Sequence, residues 1–218
     1  MNPLDPEKYI NNLPDNEHVV VALTGIIAQI DDLKTENEKL KERSDRDSQT
    51  GLLTKTAFVD RFKTILEKSN NTGDPIALAF LDIDKFKDVN DTLGHQIGDQ
   101  VITSFANKLK NGLRANDIVV GSGRLGGDEF GVFGLLEQRD NQKPLSNLEK
   151  IKGFKDNLES ICAEFLDENS TIKKKIPLFD ISIGFAFTGQ GDDANDVKRL
   201  MHQADSEMYE HKKSKSKL

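Results

Sequence analysis

The sequence predicts an α/β (α+β) domain with a sheet flanked by helices, preceded by a separate N-terminal coiled-coil helix. Three observations lead to this prediction. Apolar runs of strand length alternate with amphipathic segments, two such runs flank a pair of glycines, and a heptad pattern comes before all of them. Strands that alternate with helices and include an antiparallel hairpin form a mixed layer with helices on one or both faces.

Length, charge and composition disfavour several classes of protein. The 218 residues suffice for one sizeable domain and an appendage, and the net charge of −7 disfavours a nucleic-acid partner. A single cysteine, Cys162, fits a reducing compartment. The first residues do not follow a signal-peptide pattern, and no apolar run approaches the roughly 20 residues of a membrane span. We therefore expect a cytoplasmic protein with no membrane span.

The first predicted element is a helix over residues 19–43 with one apolar seam. An asparagine within such a seam can fix two helices in register, so the pattern favours a parallel homodimer. The alternative is an amphipathic helix packed on its own domain. The break at "SDRDSQTG" predicts a tail over 1–18, a coiled-coil helix over 19–46 and a folded domain over 47–218. The seam consists of Val19, Leu23, Ile26, Ile30, Leu33, Asn37 and Leu40.

The first half of the folded domain begins with a helix over about 54–71. "PIALAFLDID" is apolar almost throughout, which predicts a strand buried on both faces. A second amphipathic helix is expected to begin at about Asp99. "DIVVGSGRL" and "EFGVFGLLE" then form a hairpin around Gly126 and Gly127, because paired glycines supply the positive φ angles of a tight turn.

The second half contains three further elements. A charged helix is predicted over about 146–168, a strand in "PLFDISIGFAF", and a closing helix in "NDVKRLMHQADSEMYEHKK". The order of strands and helices thus continues the mixed α/β pattern to the end of the domain.

Acidic residues stand at two of the predicted strand ends. Asp82 ends the buried strand, and Asp128 and Glu129 follow the glycine pair. If the strand and the hairpin are neighbours, these carboxylates meet and repel one another unless a proton or a cation lies between them. Mg²⁺ is the expected cation because it prefers oxygen ligands, and glycines let backbone N–H groups approach a phosphate. The alternative is a glycine hairpin with solvated acids.

Several motifs in order carry a resemblance to a known family. "DSQTGLLTKTAF", "FLDIDKFKDVNDTLGHQIGD", "RLGGDEFGVF", "ISIGFAF" and "ADSEMYEHK" closely resemble the GGDEF family of bacterial diguanylate cyclases, from about Asp47 to the C-terminus. The resemblance implies a palm-like nucleotide-cyclase fold with a central, mostly antiparallel sheet flanked by helices. It also implies the reaction: two GTP condense to cyclic di-GMP and two pyrophosphates.

The resemblance assigns the metal site. Asp82, Asp128 and Glu129 match the metal and catalytic carboxylates, and the backbone carbonyl of Ile83 matches a further metal ligand. Two Mg²⁺ ions, or Mn²⁺, are implied for each active half-site. Glu129 either binds metal or helps to deprotonate the attacking 3′-hydroxyl.

The resemblance also assigns the substrate contacts. Asn90 and Asp99 match the guanine-binding pair, where one carboxylate accepts from N1–H and N2–H₂ together. Helix capping is the alternative for this pair. Lys212 matches a lysine that contacts the triphosphate, and Gly126 and Gly127 lie where the phosphates pass.

Each domain of this family binds one GTP, so the resemblance implies a homodimer with two domains facing each other. Arg114 and Asp117 match an inhibitory motif that binds the product, cyclic di-GMP. The chain has eight residues, 118–125, between that motif and Gly126, three more than the family usually has. We expect the extra residues to bulge around 121–123 or to displace Arg114.

Two other positions depart from the family pattern. Lys215 and Ser216 replace a Gly-Arg pair, which predicts weaker GTP binding because an arginine fork is lost. Gln49 replaces the leucine of the DxLT motif, and we expect it to loosen the joint between helix and domain. The competing interpretation of the whole chain is a catalytically inactive GGDEF module that binds GTP or cyclic di-GMP.

Overall fold

The computed structural model divides the chain between Ser44 and Asp45 into two units. The first contains helix α1, Glu17–Ser44. Its apolar seam is largely exposed, since the side chains of Val19, Ile26, Ile30, Leu33 and Leu40 are at least 39% accessible. The structure describes residues 17–72, 74–114, 119–136, 145–188 and 197–215.

The second unit follows the predicted order of helices and strands. Its elements are α2 (Lys55–Thr72), β1 (Ile76–Asp84), α3 (Phe86–Leu93), α4 (His95–Arg114), β2 (Val119–Gly126), β3 (Glu129–Leu135), α5 (Asn147–Glu168), α6 (Ser170–Lys175), β4 (Asp180–Phe187) and α7 (Val197–Lys215).

The four strands of the described residues form one sheet in the order β2-β3-β1-β4, and every neighbouring pair is antiparallel. Strand β1 lies in the centre, and all of its residues are buried. Because successive side chains of a strand point to opposite faces, a strand buried on both faces must be apolar on both, which explains the continuous apolar run. The predicted sheet flanked by helices is confirmed.

Helices cover both faces of this sheet. On one face Ala79 and Leu81 of β1 pack with Phe105 of α4 and Phe154 of α5. On the other face Leu78 and Phe80 of β1 pack with residues of α2 and α7, among them Phe58, Phe62, Leu200 and Met208. Asp82 has the parity of Leu78 and Phe80, so its carboxylate lies on the face covered by α2 and α7.

One local prediction was wrong, one of two alternatives is excluded, and two short helices were not predicted. Helix α4 begins at His95 instead of about Asp99, and α3 and α6 were not expected. Residues 121–123 do not bulge, because Gly121, Ser122 and Gly123 pair in register with β3. The irregularity lies between Arg124 and Gly126 instead. Leu53 explains the regular pairing: it exchanges backbone hydrogen bonds with Ser122 and Arg124 and holds the outer edge of β2 straight.

Among the described helices, none combines the length and the apolar character needed to cross a bilayer.

Candidate active site

The strand register brings two of the predicted acids together. Asp82 of β1 is paired with Glu129 of β3. Directly paired residues of antiparallel strands lie on the same face with their Cβ atoms about 4.5–5.5 Å apart. Asp82 is only 7% exposed, whereas Glu129 lies at the exposed start of its strand. A buried carboxylate and an accessible one therefore lie side by side on this face of the sheet.

Asp128 joins this pair from the turn between β2 and β3. Gly127 has a φ of +48°, a conformation that residues with a Cβ rarely adopt, and it turns the chain directly before Asp128. The Ile83 N–H donates to the Asp128 carbonyl over 3.3 Å, and Arg124 Nε donates to the Gly127 carbonyl over 2.8 Å. The turn is thus held from both sides next to the end of β1.

The side chain of Lys212 reaches this site from α7. Its Nζ donates to Asp82 Oδ1 over 2.5 Å. A cavity beside it is lined by Asp84, Asp128 and Tyr209 and by a group of lysines. The lysines described there are Lys85, Lys87, Lys212, Lys213 and Lys215. Of these lysines, only Lys212 is predicted from the sequence as a substrate contact, and the dense lysines of "DKFK" were the available signal for Lys85 and Lys87.

Two acids of the site, Asp128 and Glu129, have a raised pKa. Burial, followed by the negative charge of Asp82, holds the pKa of Asp128 above its usual range. The pKa of Glu129 is also raised, first by burial and then by the charges of Asp82 and Asp128. Burial alone would lower the pKa of Lys212, but its hydrogen bond to Asp82 and the surrounding carboxylates raise it instead. The three carboxylates therefore form a negatively charged cluster, and the ammonium group of Lys212 offsets part of its charge.

This donor set fits a divalent cation with oxygen ligands. No three acidic, histidine or cysteine residues of the described part form a ready metal cluster. Magnesium sites in phosphate-handling proteins commonly use one or two carboxylates and complete the shell with water and substrate oxygens. In this structure the cation bonded to Asp82 is the ammonium group of Lys212.

The predicted base contacts lie on α3 and α4, which are joined at Gly94. A Cβ at Gly98 would lie 1.9 Å from Asn90 Oδ1, so the Asn90 side chain occupies the space that any larger residue would need. Asp99 is the next residue, and the structure thus brings the predicted pair close together. Because α4 begins four residues earlier, Asp99 does not cap it, and the capping alternative is excluded for Asp99.

Gln49 connects this region to the turn within the folded domain, and its expected effect on the joint with the N-terminal helix stays a prediction. Its Nε2 donates to Asp99 Oδ1 over 2.9 Å, and its Oε1 accepts from Arg124 Nη1 over 2.5 Å. Both polar ends of the side chain are therefore bonded.

The structure describes only some of the remaining predicted residues. Lys215 donates to the Ile181 carbonyl over 2.5 Å and to Asp84 Oδ2 over 3.3 Å, so its ammonium group is engaged at the end of the sheet. Asp117 and Ser216 lie outside the described residues, and so does the side chain of Arg114. The inhibitory role of Arg114 and Asp117 stays a prediction.

Comparison with known proteins gives a family match. The model of the family described as "Diguanylate cyclase, GGDEF domain" matches residues 44–217. Diguanylate cyclase TpbB of Pseudomonas aeruginosa is 34% identical over 179 residues, which cover 81% of this chain and 37% of that protein. Diguanylate cyclase DgcP of Escherichia coli is 30% identical over 213 residues, covering 92% of this chain and 56% of DgcP. The chain thus spans about a third to a half of these curated relatives.

A solved structure shares the fold. The coiled coil and GGDEF domain of DgcB from Caulobacter crescentus, in complex with c-di-GMP, superimposes with a TM-score of 0.65 at 24% identity. The match covers 91% of this chain and 96% of that one. At this level of identity the likeness establishes the fold alone.

Proposed function

Because this chain belongs to the GGDEF domain family of diguanylate cyclases, we propose that it condenses two GTP into cyclic di-GMP and two pyrophosphates. One observation carries the proposal: the β1–β3 register sets Asp82 beside Glu129, with Asp128 in the adjoining turn and Lys212 bonded to Asp82. In the proposed reaction the 3′-oxygen of each GTP forms a bond to the α-phosphorus of the other. The bond from that phosphorus to the bridging oxygen breaks, and pyrophosphate leaves.

Asp82, Asp128, Glu129 and the carbonyl of Ile83 are the groups that would hold Mg²⁺, or Mn²⁺, two ions per half-site. When bound, such ions neutralise phosphate charge and lower the pKa of the attacking hydroxyl. Glu129 has an exposed position and a raised pKa, and a carboxylate with a raised pKa is a better proton acceptor near neutral pH. The alternative role of Glu129, in place of metal binding, is to accept the proton of the 3′-hydroxyl.

The lysine-lined cavity beside Asp128 is the proposed place of the triphosphate. A polyphosphate carries several negative charges, and closely spaced ammonium groups attract it without a fixed fork geometry. Lys212 is the central group because it also faces Asp82. Lys215 contributes less directly, since its ammonium group is bonded to the sheet. The glycines of the turn, Gly126 and Gly127, leave the backbone accessible to phosphate.

Asn90 and Asp99 are the proposed guanine contacts. The carboxylate of Asp99 can accept from both donors on the guanine edge, and adenine lacks that pair of donors. A purine without them makes neither of these hydrogen bonds to Asp99, so the site favours guanine over it.

A homodimer would supply the second half-site. The exposed seam of α1, with Ile26, Leu33 and Leu40 on one stripe, supports pairing of two copies of this helix. Holding two domains on one coiled coil raises the effective concentration of each half-site for the other. We further propose cyclic di-GMP as an inhibitor, and the cytoplasm as the location of the reaction; the buried, free Cys162 fits a reducing compartment.

The test is incubation of the purified chain with GTP and Mg²⁺, followed by chromatographic identification of products, beside Asp128→Ala. Cyclic di-GMP from the wild type and none from the variant is the expected result. A folded, dimeric wild type that binds GTP or cyclic di-GMP but releases no product would instead support the alternative of an inactive receptor module.

A further inference from the structure

The side-chain amide of Gln49 bridges two parts of the site that belong to different elements. Its nitrogen bonds to Asp99 on α4, and its oxygen bonds to Arg124 at the end of β2. Arg124 in turn donates to the carbonyl of Gly127 in the turn that carries Asp128. A single amide therefore connects the predicted base contact to the carboxylate turn.

The backbone around Gln49 is itself held in place. The loop of residues 45–54 is tied by Asp47, whose Oδ1 accepts from the backbone N–H and the hydroxyl of Thr50 at 2.8 and 2.6 Å. Burial alone would raise the pKa of Asp47, but these bonds and the charge of Arg124 lower it overall. Leu53 pairs with β2 at the other end of the loop. Gln49 is thus a side chain on a fixed loop, half-buried, with few alternative positions.

The direction of the amide follows from its neighbours. The guanidinium of Arg124 attracts the amide oxygen, so the amide nitrogen faces the carboxylate of Asp99. Asp99 is exposed, and an exposed carboxylate without this bond would sample several rotamers. The hydrogen bond at Oδ1 restricts the rotation of the carboxylate and leaves lone pairs on both oxygens. A carboxylate of restricted orientation suits the two adjacent donors of a planar base.

We infer that Gln49 is a positioning residue that orients Asp99 for the guanine edge and connects this base subsite to the carboxylate turn through Arg124. The inference rests on the proposed function, because it takes GTP as the ligand. Preorganisation of Asp99 lowers the entropy that is lost when the base binds.

The test compares two substitutions with the wild type in the full chain. Gln49→Leu restores the residue usual in the family and removes both hydrogen bonds. Gln49→Glu keeps an acceptor for Arg124 but places a second carboxylate beside Asp99. Ser48→Ala, at an exposed neighbour in the same loop, is the matched control. For each protein kcat and KM are measured with GTP and with inosine triphosphate, which lacks the exocyclic amine of guanine.

For Gln49→Leu we expect KM for GTP to rise about three- to tenfold, the effect of losing one net hydrogen bond, while kcat stays within about twofold. The preference for GTP over inosine triphosphate should fall with it. Gln49→Glu should raise KM further at low salt, and the excess should shrink at high salt because repulsion is screened. KM does not depend on the amount of active protein, so partial misfolding of a variant would not imitate this result.

Unchanged KM and unchanged base preference in both variants, with an active wild type, would overturn the role of Gln49 and leave the proposed function standing. A fall in kcat alone would also overturn it, because that pattern indicates a damaged turn instead of a misplaced base. A wild type that makes no cyclic di-GMP and binds no GTP would overturn the proposed function, and the inference with it.

Discussion

Lys212 Nζ lies 2.5 Å from Asp82 Oδ1, although the two residues are 130 positions apart in the chain. The contact places the last helix of the domain directly on the end of its central strand. It supplies a positive charge to a group of three carboxylates, two of which have raised pKa values. Charge balance in this site is therefore a property of the folded chain and depends on the docking of α7.

Replacing Lys212 by methionine keeps the side-chain length and removes the charge. We expect kcat/KM for GTP to fall about 10- to 100-fold, the usual effect of losing a charge-assisted contact. Because Lys212 lowers the pKa of Asp128, its removal should also shift the acidic limb of the pH–rate profile to higher pH. Lys198→Met, at an exposed position on the same helix, is the control and should leave both quantities unchanged.

Replacing Asp128 by asparagine should stabilise the metal-free protein while abolishing synthesis. Its raised pKa means that the folded chain binds this proton more tightly than the unfolded chain does. Ionisation therefore costs stability as the pH rises from the ordinary carboxyl range through the folded pKa. Calorimetry near pH 7.5 without Mg²⁺ should show a gain of about 1–3 °C in Tm after discounting for solvent screening.

The gain should vanish in acid below both pKa values, where the wild-type carboxyl group is also neutral. Mg²⁺ should raise the Tm of the wild type but not of Asp128→Asn, because only the wild type keeps this ligand. A lower Tm for the variant at neutral pH would show that the ionised carboxylate of Asp128 does not destabilise the folded protein.

Gly98→Ala tests the contact between Asn90 and α4. The added Cβ would meet Asn90 Oδ1 at 1.9 Å, so the amide must move. We expect KM for GTP to rise about tenfold, while the helix tolerates alanine well. Asn90→Ala should cause a similar loss, and the double variant should be no worse than either single one, as expected when both changes remove one interaction. If the increases in KM of the two single variants add up in the double variant, the two changes do not act on one shared interaction, and the prediction is contradicted.

Leu33→Asp tests the seam of α1. Two aspartates facing each other in a coiled coil are buried without partners, which strongly disfavours pairing. Light scattering should show a monomer, and the rate of product formation should become second order in protein concentration. Ala28→Asp places the same group outside the seam and should remain dimeric. If the Leu33→Asp variant stays dimeric, the dimer forms through a surface other than the seam of α1.

Much of the fold was predictable because its strongest signals are local. A continuous apolar run identified β1, and the glycine pair identified the β2–β3 hairpin. Short elements were harder: α3 is only eight residues long, and its length leaves little room for a periodic pattern. The start of α4 was placed too late because Gly98 interrupts the pattern there; the structure shows that the glycine makes room for Asn90.

The sequence by itself determined which groups this protein can bring to a site: acids at the ends of an apolar strand and a glycine turn, lysines in the last helix, and an amide in the first loop. The acids and the glycine turn stand out in the local pattern, whereas Lys212 and Gln49 are singled out by the family resemblance alone. Tertiary structure decided their partners. Strand register put Glu129 opposite Asp82, and a shift of one residue would have turned either side chain to the other face. Packing of α7 put Lys212 on Asp82, and the pairing of Leu53 with β2 held Gln49 between Asp99 and Arg124. Such contacts depend on how distant segments fit together, which no local pattern encodes.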